Sequence, residues 1–61
     1  MKTLRVAIEE LPDRITKVRL YTIRGVWVGN YSREDAIQKY GDMIYSTGYS
    51  ESFTTVSLWI Y

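Results

Sequence analysis

Five side chains between Lys17 and Tyr31 form a set suited to recognition. They are Lys17, Arg19, Tyr21, Trp27 and Tyr31, two cations and three rings, at alternating positions along two short runs. Alternation places such a set on one side of β-strands. Rings and cations sharing a surface can stack on planar groups, hold anions or bury themselves in another protein. They do not pair a nucleophile with a base, so their chemistry is binding rather than bond-making.

The elements that must position them are two strands joined at Arg24-Gly25. A two-residue loop would force Arg24 to positive φ, which a residue with a Cβ resists. A three-residue loop, Ile23-Arg24-Gly25, leaves the left-handed position to Gly25. That loop pairs Thr22 with Val26, Tyr21 with Trp27 and Leu20 with Val28. The aliphatic residues then share one face, and Lys17, Arg19, Tyr21, Trp27 and Tyr31 share the other. A slip of one residue would exchange the faces.

Around this hairpin, Thr3–Glu9 alternates Leu4, Val6 and Ile8 against polar positions and reads as a strand. Leu11-Pro12-Asp13-Arg14 reads as a type I turn with Pro12 in its second position. The second strand is expected from about Ile15 to Ile23 and the third from Val26 to Tyr31. Ser32 is a helix N-cap, with Glu34 and Asp35 in the first turn and Asp35 four residues before Lys39. Ala36, Ile37, Tyr40, Met43 and Ile44 make an apolar stripe, so a helix is expected over 33–46. Gly41 would let it approach the sheet, and Gly48 would end it.

Phe53–Tyr61 is the last strand, with Val56, Leu58 and Ile60 beneath the helix. The expected fold is α+β, a four-stranded sheet in the order β-β-β-α-β with one helix on one face, in a single mini-domain over residues 1–61. The last strand could lie beside the first or the third. The helix-free face would carry Arg5, Lys17, Arg19, Tyr21, Trp27, Tyr31, Trp59 and Tyr61, with Phe53 at its edge.

Composition narrows the function. The chain has 61 residues, no histidine, no cysteine and a net charge of +1. The commonest general base, thiolate nucleophile and metal ligands are therefore missing, and no phosphate-binding glycine loop occurs. No enzyme activity, cofactor or metal is expected. Bulk charge is too small to hold DNA by itself. Six basic and three acidic side chains fall in residues 1–31, two basic and four acidic in residues 32–61. Without a long apolar run, an export signal or cysteine, the expected location is cytoplasmic, with no membrane partner.

Three uses of the ring-bearing face remain open. In the first, some of the rings only shield the sheet, with Arg19 and Lys17 lying over Trp27 and Tyr31. In the second, the face binds protein, including a second copy of the chain as a homodimer. In the third, it binds single-stranded nucleic acid, with bases on the rings and phosphates on the cations. Arg24 to Tyr31 begins with the Arg-Gly of the RNA-recognition motif, but Val26 and Val28 occupy its central aromatic positions and that fold needs two helices where one is expected, so membership is rejected.

From Val26 onward, a strand ending in Tyr31, the capped run Ser32-Arg33-Glu34-Asp35-Ala36-Ile37, a Gly48 stop and a final strand resemble small phage-encoded inhibitors of host machines. These include the RNA-polymerase inhibitor of T7-like phages and single-helix anti-CRISPR proteins. The resemblance implies a compact domain that blocks a host protein complex, such as a CRISPR nuclease or RNA polymerase, by occlusion.

Overall fold

The first apolar run is a helix, α1 (Leu4–Glu9), where a strand was expected. Leu4 and Ile8 fit both an alternating and a helical pattern, so Val6 and Ala7 decide. Ala7 is buried beside Leu4 and Ile8, and Val6 is exposed. Leu11 packs on the same core and completes a stripe at helical spacing.

The structure is a computed structural model describing residues 1–61. After α1 come β1 (Lys17–Thr22), β2 (Trp27–Ser32), α2 (Arg33–Tyr40), β3 (Tyr45–Ser50) and β4 (Thr55–Ile60). The expected α+β class and four-stranded sheet are present, but the order is α-β-β-α-β-β and there are two helices. The Pro12 turn is shifted by one residue: Ile15 N–H donates to the Pro12 carbonyl at 3.0 Å, so proline opens the turn.

The sheet order is β2-β1-β4-β3. It is two antiparallel hairpins set side by side, with β1 and β4 parallel at the centre. The last strand therefore lies beside Lys17–Thr22 rather than beside either strand expected. Thr3–Glu9 is unavailable as a strand, and β3 takes the far edge.

Helix α2 starts as expected, with Ser32 Oγ accepting from the Asp35 N–H at 3.1 Å. It ends at Tyr40, six residues early. Gly41 is its C-cap, and a Cβ there would collide with the Ile37 carbonyl oxygen of α2 itself and lie 3.1 Å from Arg5 Nη2 at the tip of a flexible side chain. Gly41 thus relieves a clash within the last turn of α2 rather than a close approach to the sheet. Gly48 is no helix stop; it lies in β3 opposite Leu58.

The two helices complete each other's ends. The Leu4 and Arg5 N–H groups, at the start of α1, donate to the Met43 and Gly41 carbonyls at 2.8 and 3.0 Å. At the other end, Arg33 opens α2 and reaches back to the end of α1. Its Nη2 donates to the Ile8 and Leu11 carbonyls at 2.8 and 3.2 Å, and its Nη1 to Pro12 and Ile15 at 2.7 and 3.1 Å. A six-residue helix cannot persist by itself; here the free groups at both its ends are satisfied by α2 and the segment after it. Leu4, Ile8, Ile15 and Ala36 then close over Val18, Leu20, Val56, Leu58 and Ile60 as one buried cluster.

Candidate functional site

The helices cover the aliphatic side of the sheet, so the opposite side is bare. Gly25 adopts φ +84°, and its N–H donates to the Thr22 carbonyl at 2.8 Å. The Thr22 N–H donates to the Val26 carbonyl at 2.8 Å. This is the three-residue loop expected, and it sets Tyr21 opposite Trp27.

Trp59 lies opposite Tyr21 on β4, and Thr47 opposite Trp59 on β3. Trp27, Tyr21, Trp59 and Thr47 therefore form one row across the bare face. Tyr21 and Trp59 stack with centroids 5.0 Å apart and planes 18° from parallel. Such a pair contributes ~1 kcal/mol beyond the area it buries. Trp27 is 57% exposed.

The next row is Asn30, Arg19, Ser57 and Tyr49, and beyond it lie Ser32, Lys17 and Thr55. Ser57 is fully buried, and its hydroxyl donates to Glu51 Oε1 at 2.7 Å. Glu51 and Asp35 both line the recess that holds Lys17 and Arg19. The ion pairs in the molecule are Lys2–Glu10 and Arg5–Asp42, so Lys17 and Arg19 are unpaired.

Two expected members lie elsewhere. Beyond Trp27 the register slips, and Leu20 faces Gly29 instead of Val28. Val28 is the extra residue of a β-bulge, which exchanges the faces for the rest of β2. Tyr31 then falls opposite Val18, on the helix side. It meets Tyr40 of α2 edge-on at 5.5 Å, and the two hydroxyls share a 3.3 Å hydrogen bond. That bond, with some desolvation, raises the Tyr31 pKa above its ordinary value. Its ring also covers Gly29, where a Cβ would lie 2.9 Å from Tyr31 Cε2. Arg5 is on α1, exposed beside Asp42 at 3.7 Å, because its run is a helix.

Tyr61 follows β4, exposed, with its N–H donating to the Ile44 carbonyl at 3.1 Å. Phe53 is exposed in the loop before β4, under the Arg14 guanidinium at 5.0 Å. Thr47, Tyr49 and Glu51 are members that sequence reasoning missed, because 45 and 46 were read as helix and 47–51 as its exit. The signal was present: Tyr45–Ser50 alternates and holds serine, threonine and glycine, which are poor helix formers.

Glu9, Glu10, Glu34, Asp35 and Asp42, five of the seven acidic residues, sit on or just after the helices. Lys17 and Arg19 lie on the bare face, in a recess also lined by Asp35 and Glu51. No helix is long and apolar enough to cross a membrane. No protein-family model, curated protein or solved structure matches the chain.

Proposed function

We propose that this is a non-catalytic binding domain of the inhibitor or adaptor type. It docks its helix-free sheet face on a larger protein complex of a host cell and blocks it sterically, in the style of phage-encoded inhibitors of CRISPR nucleases or RNA polymerase. The observation supporting this reading is the row Trp27, Tyr21 and Trp59 beside unpaired Arg19 and Lys17 on the sheet face that no helix covers. Tryptophan, tyrosine and arginine contribute most of the binding energy at protein interfaces.

Affinity capture from host lysate tests it, comparing the wild type with Trp27→Ala/Arg19→Ala. A partner held by the wild type and lost by a folded double variant is expected. Capture of nothing above background by the wild type overturns the proposal. Tryptophan quenching by an oligonucleotide, weakened by salt, would assign the same face to single-stranded nucleic acid instead.

A further inference from the structure

The two edges of the sheet are not alike. β2 forms one, is interrupted by the bulge at Val28, and runs straight into α2. β3 forms the other and pairs with β4 alone. Bulges, charged side chains and proline are what stop an edge strand from recruiting another chain. β3 has little of this. Its irregularity falls at its start, between Tyr45 and Thr47, and Tyr45–Ser50 holds no charged residue and no proline. Thr47, Gly48, Tyr49 and Ser50 are all exposed.

The main-chain bonds show which groups of this edge are free. The Glu51 N–H donates to the Thr55 carbonyl at 3.0 Å. Bonds to one neighbour in an antiparallel ladder recur at every second residue, so Tyr49 and Thr47 also turn their N–H and C=O groups to β4. Those of Gly48 and Ser50 point the other way, to water. The N-terminal segment borders only the beginning of this edge: Thr3 pairs with Ile44, and the Lys2 carbonyl accepts from the Tyr45 N–H at 3.0 Å.

We infer that the β3 edge pairs with the same edge of a second copy of the chain, antiparallel about Tyr49, joining the two four-stranded sheets into one. In this register Gly48 exchanges main-chain bonds with Ser50 of the second copy, and Ser50 with its Gly48, so the free groups satisfy each other. The two Tyr49 rings meet in a closely spaced pair on the bare face. Tyr49 is 63% exposed and stacks on no ring of its own chain. Thr47 faces Glu51 of the second copy, so no like charges are opposed. A register centred on Gly48 would press the second copy against the N-terminal segment at Tyr45.

A second copy fits because a twofold contact needs a surface complementary to itself, and this one offers equal donors and acceptors with no charge from Tyr45 to Ser50. A net charge of +1 adds little repulsion between copies. The axis stands perpendicular to the sheet, so both bare faces fall on one side. The row Asn30, Arg19, Ser57 and Tyr49 then continues through Tyr49 of the second copy. The inference does not depend on the docking-face reading, but the dimer would present that face twice.

So small a contact gives a weak dimer, with Kd on the order of 100 µM. Sedimentation of the whole chain from about 10 µM to about 1 mM should show it form. Over the same range, amide exchange at Gly48 and Ser50 should slow about fivefold. Ser50→Pro removes an outward donor and spares the β4 ladder; Tyr49→Lys sets like charges face to face at the axis. Each should weaken the dimer at least tenfold with the circular dichroism unchanged, and Tyr49→Lys decides if Ser50→Pro perturbs the hairpin.

A monomer throughout overturns the inference. So does a dimer that both variants keep, or one in which Gly48 and Ser50 exchange as fast as in the monomer. A dimer that only Trp27→Ala/Arg19→Ala abolishes is joined face to face, which overturns it as well.

Discussion

Arg33 Nη2 lies 2.8 Å from the carbonyl oxygen of Ile8, so the first residue of α2 holds the last turn of α1. The same guanidinium serves Leu11, Pro12 and Ile15. A planar fork with five donors can satisfy four carbonyls at once, and an ammonium on a flexible stem cannot.

Arg33→Met should therefore lower stability by about 2–3 kcal/mol, the worth of losing charge-assisted bonds and leaving carbonyls unpaired. Arg33→Lys should recover less than half of that. Urea denaturation checks both, and a loss below about 0.5 kcal/mol for Arg33→Met would contradict the role.

Gly29 and Tyr31 should prove coupled. A methyl at Gly29 would meet the Tyr31 ring at 2.9 Å, and a ring pinned against Tyr40 cannot withdraw freely. Gly29→Ala should cost about 1–2 kcal/mol by overpacking. In a Tyr31→Ala background the same change should cost clearly less, a departure from additivity that a double-mutant cycle measures.

Alkali should weaken the fold. The Tyr31 hydroxyl is held protonated by its bond to Tyr40, and the Lys2 ammonium by its bond to Glu10; both pKa values are raised above the ordinary 10.0 and 10.5. A raised folded pKa gives stability that is fully present below the ordinary value and is lost as pH climbs through the folded one. The Tm should hold up to about pH 10 and fall above it. In Tyr40→Phe, an ultraviolet titration should find Tyr31 ionising at lower pH than in the wild type.

The rings of the bare face should differ in their structural weight. Trp27 is largely exposed, so Trp27→Ala should change stability by no more than about 0.5 kcal/mol. Tyr21→Ala breaks the stack on Trp59 and should cost about 1–2 kcal/mol. Thermal unfolding of the two variants separates them, and a larger loss for Trp27→Ala would mean that the row is assigned wrongly.

The hairpin was legible because its loop chemistry is local: only Gly25 accepts the required φ, and that fixes Tyr21 against Trp27. The bulge was not, since Val28 is as good a strand residue as any and only its pairing with β1 displaces it. That one residue moved Tyr31 from the proposed site to the helix side of the sheet, where it packs against the core. Leu4–Glu9 was misread because Leu4 and Ile8 fit two periods, and the deciding difference between Val6 and Ala7 is a matter of burial. The end of α2 was set by Leu4 and Arg5 taking up the Met43 and Gly41 carbonyls, a contact between distant residues that no local pattern records. Trp59 lay in a strand that alternation could identify, whereas Thr47 and Tyr49 required the helix to stop at Tyr40.

The parallel pairing of Lys17 with Thr55 and of Thr22 with Ile60 places the fourth strand in chain order at the middle of the sheet. The first hairpin must therefore wait for its central neighbour until Thr55–Ile60 has been made. Joining strands so distant in sequence makes the final closure slow relative to a meander of the same size. A premature stop before Thr55 would accordingly delete the sheet's keel rather than trim its rim, leaving nothing for either hairpin to assemble on.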